Sequence, residues 1–382
     1  MKISKKAWLS TLTAGALVAG IATSSMAAKT YDTTFYIAGM GGHFAKAVCT
    51  IDPAAETPIT CSELTKIDIG DRDSHPVHDA RIDSEDRNTM FWSTYKLDPA
   101  TGMTHVGKTD LTTGEVLLDV DAPTPEQVKV TKKMYCASGQ TKDYFMPITM
   151  SNPAYIDVFA KKDLTRKHSV FLEGTEADPK VPYKYFHGTT SPDMSKMLIT
   201  INESDSSSLT NYGTGIGKLH LKMLDAQALE KGEVKLLASG VADGNKKSTI
   251  SFRQYWSNDS SKIANATGDI MFLLDANTLE TIDAETMPVL EETHDAMFTP
   301  DDKYIVVTSR TKAIYAEDCQ DRTKPGPNEY LMDGQLKLYD VKAQTFVGKP
   351  TSVCLACHDE EIGAGEDGVH AILCGIDAEY SK

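Results

Sequence analysis

Cys354, Cys357 and His358 form the run Cys-x-x-Cys-His, two thiols three residues apart with an imidazole directly after the second. Thiols at that spacing can add across the vinyl groups of a haem while the adjacent imidazole reaches its iron, so the run is a signature of covalent haem attachment. With seven Cys and ten His in 382 residues, composition alone would produce it roughly 0.003 times per chain, which makes chance a poor account. One covalent haem c is therefore expected, held by Cys354 and Cys357 with His358 as proximal ligand. A disulfide or dithiol metal site that happens to precede a His is the competing reading. The distal position is open, and His370, a methionine or a substrate would each serve.

Four further histidines stand out by position. His78, His187, His294 and His370 fall at or near the start of one strand in each of four internal repeats. If those strands line a central channel, imidazoles far apart in sequence converge there, and a His-rich set with few carboxylates leans towards copper or haem iron. Taken singly, each reads first as a polar channel residue bonded to water or a neighbouring carbonyl, and it is the set of four that points to a metal. His43, His75 and His105 carry less weight, and a structural role is expected for each. Asp79 and Asp295 directly follow His78 and His294. Adjacent strand residues face opposite sides of a sheet, so each Asp is expected to bond across a blade and not to support its own neighbour. Cys49 and Cys61 are equidistant from a turn near Glu56 and are expected to form a disulfide across a hairpin. Cys136, Cys319 and Cys374 then remain, an odd number that leaves an unpaired thiol; Cys374, beside His370, is a candidate soft ligand.

The elements that must position these residues are short strands. In THDAMFTPDDKYIVVTS (293–309) a strand, a Pro-Asp-Asp turn and a β-branched strand follow one another. The order recurs in 77–95, 135–150 and 186–201, and more weakly in 251–267. A third strand closing on an Asp-led turn follows each, at 105–114, 156–166, 219–229, 270–280 and 336–345, and then a fourth short strand. Residues 33–66 hold only the second, third and fourth strands of such a unit, and 368–380 looks like the missing first one. The expected fold is all-β: a single β-propeller of four-stranded antiparallel blades, closed by pairing the C-terminal inner strand with the N-terminal strands. Six blades are counted, from inner strands near 78, 136, 187, 253, 294 and 370, and seven if 310–367 hides a degenerate one. The segment 346–368 is expected as a long loop carrying Cys354 to His358. No long window has helical periodicity, against a helical cytochrome.

The strand pairs of the PDDKYIVVTS type (300–309) and the Asp-led turns resemble the exported β-propellers of bacterial redox enzymes. These include amine dehydrogenase heavy chains, the haem d1 domain of nitrite reductase and the copper-binding propeller of nitrous oxide reductase. The resemblance is architectural and spans nearly the whole chain after residue 28. It implies the fold; the matching residues are structural and carry no activity.

Lys2, Lys5 and Lys6 precede a short apolar stretch from Ala7 to Ala22 and small residues at Ser25 to Ala28. This reads as a Sec-type signal peptide over 1–28, with 29–382 the mature propeller in the periplasm, where haem attachment and disulfides belong. No later segment approaches the length of a membrane span, so no membrane insertion of the mature chain is expected. Loss of the three lysines would take the formal charge of −15 further negative, which disfavours nucleic acid and favours basic partners. Gly-x-Ser-x-Gly, a phosphate-binding loop and His-Glu-x-x-His are all absent from the sequence, against hydrolases and nucleotide enzymes. The functional expectation is a periplasmic c-type haem redox protein, an electron carrier or an oxidoreductase. Its partner is a basic periplasmic electron-transfer protein, with a small-molecule substrate if it is an enzyme. The alternatives are a copper oxidoreductase built on His78, His187, His294 and His370, and a non-enzymatic propeller scaffold that binds another protein.

Overall fold

Runs of β-branched and aromatic residues with turn chemistry between them give strands almost throughout the computed structural model. It describes residues 29–38, 41–206, 212–288, 291–311, 333–352 and 375–381. The chain opens with β1 (Tyr31–Ala38), β2 (His43–Ile51) and β3 (Ile59–Asp68). A second group is β4 (Val77–Ile82), β5 (Thr89–Thr94), β6 (Thr104–Asp110) and β7 (Val116–Ala122). The third is β8 (Tyr135–Gln140), β9 (Tyr144–Thr149), β10 (Tyr155–Ala160) and β11 (Arg166–Phe171). The fourth comprises β12 (Tyr183–Thr190), β13 (Lys196–Ser204), β14 (Gly215–Asp225), a single helical turn α1 (Ala226–Leu229) and β15 (Leu236–Asp243). The fifth is β16 (Thr249–Trp256), β17 (Lys262–Gly268), β18 (Ile270–Asp275) and β19 (Thr281–Thr286). The last is β20 (Glu291–Phe298), β21 (Tyr304–Thr311), β22 (Asp333–Asp340) and β23 (Thr345–Ser352), followed by β24 (Ile376–Tyr380).

Each group pairs antiparallel in chain order, and β24 joins the first three strands as β24-β1-β2-β3. The Asp-led turns do one job in four of the groups. Asp110, Asp225, Asp275 and Asp340 each accept hydrogen bonds from the two backbone N–H groups that follow two and three residues later, which closes the hairpin to the fourth strand. The first strands β4 and β8 are buried along their length and β12, β16 and β20 over most of it, whereas the fourth strands β7, β15 and β19 largely alternate between partly buried and exposed residues. The sheets thus run from a dry inner edge to a wet outer one.

Apolar clusters lie between neighbouring sheets. Phe44 and Trp92 join the first sheet to the second, Phe91 and Phe145 the second to the third, Ile148 and Phe186 the third to the fourth. Leu221 and Phe272 join the fourth to the fifth, Leu273 and Val307 the fifth to the sixth, and Phe35 and Val306 the sixth back to the first. First strands touch in the same succession: β4 with β8, β8 with β12, β12 with β16, β16 with β20, β20 with β24, and β24 with β4.

Two details differ from expectation. The fifth and sixth groups form one eight-stranded sheet through a single bridge, Gly268 to Thr293. The ladder between β16 and β17 is irregular between Thr249 and Arg253, and Gly268 reaches β20 at that place. Residues 346–352 are not loop; they belong to β23 and pair with β22 from Asp340↔Thr345 to Gln335↔Ser352. The C-terminal strand is described over Ile376–Tyr380, with residues 368–374 of the expected strand outside the described residues, and its register with β1 runs from Ile37↔Ile376 to Thr33↔Tyr380. Cys49 and Cys61 are opposite one another in the β2–β3 hairpin and are joined by a disulfide.

Candidate functional site

The first strands deliver their N-terminal halves to one place. His78 of β4, His187 of β12 and His294 of β20 are all buried there, at 5, 0 and 1 % exposure. The rings of His78 and His294 meet edge to face with centroids 5.2 Å apart, and His78 also stacks on Tyr95 at 4.5 Å. Nδ1 of His78 lies 2.9 Å from the Sγ of Cys136, which occupies the corresponding place on β8. On β16 that place is taken by Phe252, whose ring stacks on His294 at 4.7 Å and meets His187 edge-on at 6.2 Å.

The expected convergence of imidazoles is therefore partial. His78 and His294 are neighbours, and His187 stands behind Phe252. Among the described residues, His78, His187 and His294 do not form a three-ligand set, because an apolar ring fills the equivalent position on β16. His370 lies outside the described residues, as do Cys354, Cys357, His358, Cys319 and Cys374.

His187 has an unusual setting. Neither of its ring nitrogens has a hydrogen-bond partner among the described residues. Burial, helped by the positive charges of Arg253 and Lys133, lowers its pKa to about 3, so the imidazole is neutral at physiological pH. A neutral imidazole with both nitrogens uncommitted is in the state that a metal or haem iron requires of a ligand.

One residue was not legible beforehand and organises the hub. The fully buried guanidinium of Arg253 on β16 donates to Asp79 Oδ1 at 2.6 Å and to the backbone carbonyls of His78 and Cys136. Its Nε lies 3.9 Å from Asp295 Oδ2. A single side chain thereby ties β16 to β4, β8 and β20. Burial opposes its charge, but Asp79 and Asp295 outweigh that and raise its pKa above the ordinary arginine value. Asp295 in turn accepts from the backbone N–H of Ile376, and Asp377 from that of Ile82, so both carboxylates reach the first strand of a neighbouring sheet. Burial pushes Asp295 up to about 6, against the pull of Arg253. The expectation that Asp79 and Asp295 act away from their own histidines is met in this form.

Gly375 packs against the same guanidinium: a Cβ there would come within 2.7 Å of the Arg253 Cζ, so only glycine fits. The repeat alignment held a signal for Arg253, since it takes the place that Asp79 and Asp295 take in their strands, a charge of opposite sign at an equivalent position. Towards the C-terminal ends of β4, β8, β12 and β16 lies a cavity of about 240 Å³, lined by Arg81, Gln140, Thr190, Tyr255, Trp256 and Asp377 among others.

The remaining histidines divide. His43 is buried with Nδ1 3.1 Å from the Gly41 carbonyl, and burial lowers its pKa, which is a structural role. His75 and His105 meet at the outer strands of the second sheet around Asp119, a proximity that spacing in the sequence did not reveal.

No family model matches the chain, and no curated protein matches it. Among solved structures, Kuenenia stuttgartiensis hydrazine synthase is similar with a TM-score of 0.46 at 14 % identity, covering 72 % of this chain and 65 % of that one. The chain thus spans slightly less than two thirds of that protein's length, and the reading of the site rests on its own geometry. Among the described residues no helix is long and apolar enough to cross a membrane.

Proposed function

We propose that this chain is an exported redox protein: a single six-bladed propeller carrying one haem c on Cys354 and Cys357, with His358 as iron ligand, beside the hub of His78, Cys136, His187 and His294. In support of the closed ring, apolar clusters join all six neighbouring pairs of sheets, including the sixth to the first. The observation that carries the functional reading is His187, a fully buried neutral imidazole with two uncommitted nitrogens. The haem motif belongs to the segment between β23 and Gly375, and Gly375 abuts Arg253, which grips the backbone of His78 and Cys136. Gly375, which follows that segment in the chain, lies at the hub.

Haem would supply one-electron chemistry. The chain's own residues hold the site dry, keep the His187 imidazole neutral through burial and through the charge of Arg253, and fix the inner strands around that guanidinium. The acidic run Asp359, Glu360 and Glu361, within a formal charge of −15, suits a basic electron-transfer partner. Expression in a periplasm with haem-attachment machinery tests the reading. A Soret band and haem that stays with the polypeptide on a denaturing gel are expected, both lost in Cys354→Ser/Cys357→Ser; a colourless wild-type protein ends the proposal.

A copper centre is the second reading, favoured by the nitrogen and sulfur donors of His78 and Cys136 at 2.9 Å. Elemental analysis separates the two: stoichiometric copper that is lost in Cys136→Ser, in protein without haem, supports the copper centre.

A further inference from the structure

The loop before β4 and the outer strands β6 and β7 bring two imidazoles to one carboxylate. His75 Nε2 is 2.9 Å from Asp119 Oδ2, and His105 Nδ1 is 3.0 Å from Asp119 Oδ1. One ligand atom from each of the three residues lies within 4.8 Å of the others, and the two rings are 4.2 Å apart. The imidazole side chains are only 12 and 11 % exposed while Asp119 is 32 % exposed, so the cluster is dry behind and open in front, as an ion's entry path requires.

The far sides of the rings are also occupied. Ser74 Oγ lies 2.8 Å from His75 Nδ1, and Asp98 Oδ2 stands 3.5 Å from His105 Nε2, at ion-pair distance though not hydrogen-bonded to it. Outer partners of this kind orient metal-ligating imidazoles. Asp121 Oδ1 is 3.8 Å from His105 Nδ1, near enough to offer a fourth donor. Gly70 admits the His75 ring, since a Cβ there would come within 2.4 Å of Nδ1, and Trp92 meets that ring edge-on at 5.8 Å. Three carboxylates, those of Asp98, Asp119 and Asp121, face two imidazoles, a surplus of negative charge that a divalent cation would largely offset.

We propose that His75, His105 and Asp119 form a mononuclear site for a divalent cation of the zinc class, with Asp121 or water as fourth ligand. Two imidazole nitrogens and a carboxylate oxygen are the donor types that zinc takes in four-coordinate sites, whereas calcium and magnesium take oxygen shells. Such an ion would staple the loop ahead of β4 to the outer edge of the second sheet, independently of any haem or copper at the hub.

The test is calorimetric titration of zinc chloride into the full chain after treatment with a chelator. A site of one equivalent is expected, weakened at least ~100-fold in His105→Gln and in Asp119→Asn and unchanged in the control His220→Gln. Zinc binding equal in wild type and both variants, or no binding at all, overturns the proposal. Should either variant fail to fold, anomalous diffraction at the zinc edge from wild-type crystals decides it. A peak among the three side chains supports the site, and a peak only elsewhere, or none, overturns it.

Discussion

A buried imidazole without a hydrogen bond costs folding free energy whenever it must take a proton, and His187 is such a group. Its folded pKa of about 3 lies below the ordinary 6.5, so the unfolded chain binds the extra proton first and the contribution of His187 to stability is lost as pH falls through that window. For this residue alone the loss between pH 7 and pH 5 is about 2 kcal/mol. Asp295 acts in the opposite sense: its folded pKa of about 6 is above the ordinary 3.8, so its contribution is present at low pH and is lost as pH rises through 6. The two partly cancel in the wild type. His187→Phe should therefore make the protein more stable at pH 5 than at pH 7, read as the urea midpoint at each pH; a variant that keeps the wild-type pH profile would show that His187 does not titrate as its burial implies.

At the scale of elements, the hub is held by one strand reaching three others. Arg253 on β16 is matched by Asp79 on β4 and Asp295 on β20 and by carbonyls on β4 and β8. Removing one member of a buried ion pair leaves the other charge uncompensated, a loss of about 3–5 kcal/mol. Arg253→Met should lower the urea midpoint accordingly, and Arg253→Met/Asp79→Asn should recover part of that loss. A double variant no more stable than the single one would mean that Asp79 is not the partner that matters. The inner strands were legible from their turns and from the burial implied by their sequences, because hairpins are local. The extent of β23 was not, since Thr345 to Ser352 has the polar, Gly- and Pro-containing look of a connection and is a strand only through its ladder to β22.

For the molecule as a whole, the stability of the first sheet depends on residues more than three hundred positions apart, since β24 covers the open edge of β1. An uncovered strand of that kind is a template for pairing with another copy. Truncation after Gly375 should convert the protein into oligomers or aggregate on size exclusion while leaving the Cys49–Cys61 disulfide intact; a truncated chain that stays monomeric with an unchanged thermal midpoint would show that β24 is dispensable. If the proposed basic partner binds, the acidic surplus of the chain should make that association weaken as salt is added, through loss of steering.

The sequence by itself determined the all-β class, the four-strand unit, the Asp-led turns, the pairing of the chain's two ends and the Cys49–Cys61 hairpin bond. Each of these depends on local turn chemistry or on a repeat that can be aligned by eye. Only the tertiary structure decided which side chains meet. It inserted Phe252 between His187 and His294, brought Arg253 to three other first strands at once, and placed His75, His105 and Asp119 around one point. Contacts between sheets are set by how their faces and first strands pack against one another, and separation along the chain carries no information about that.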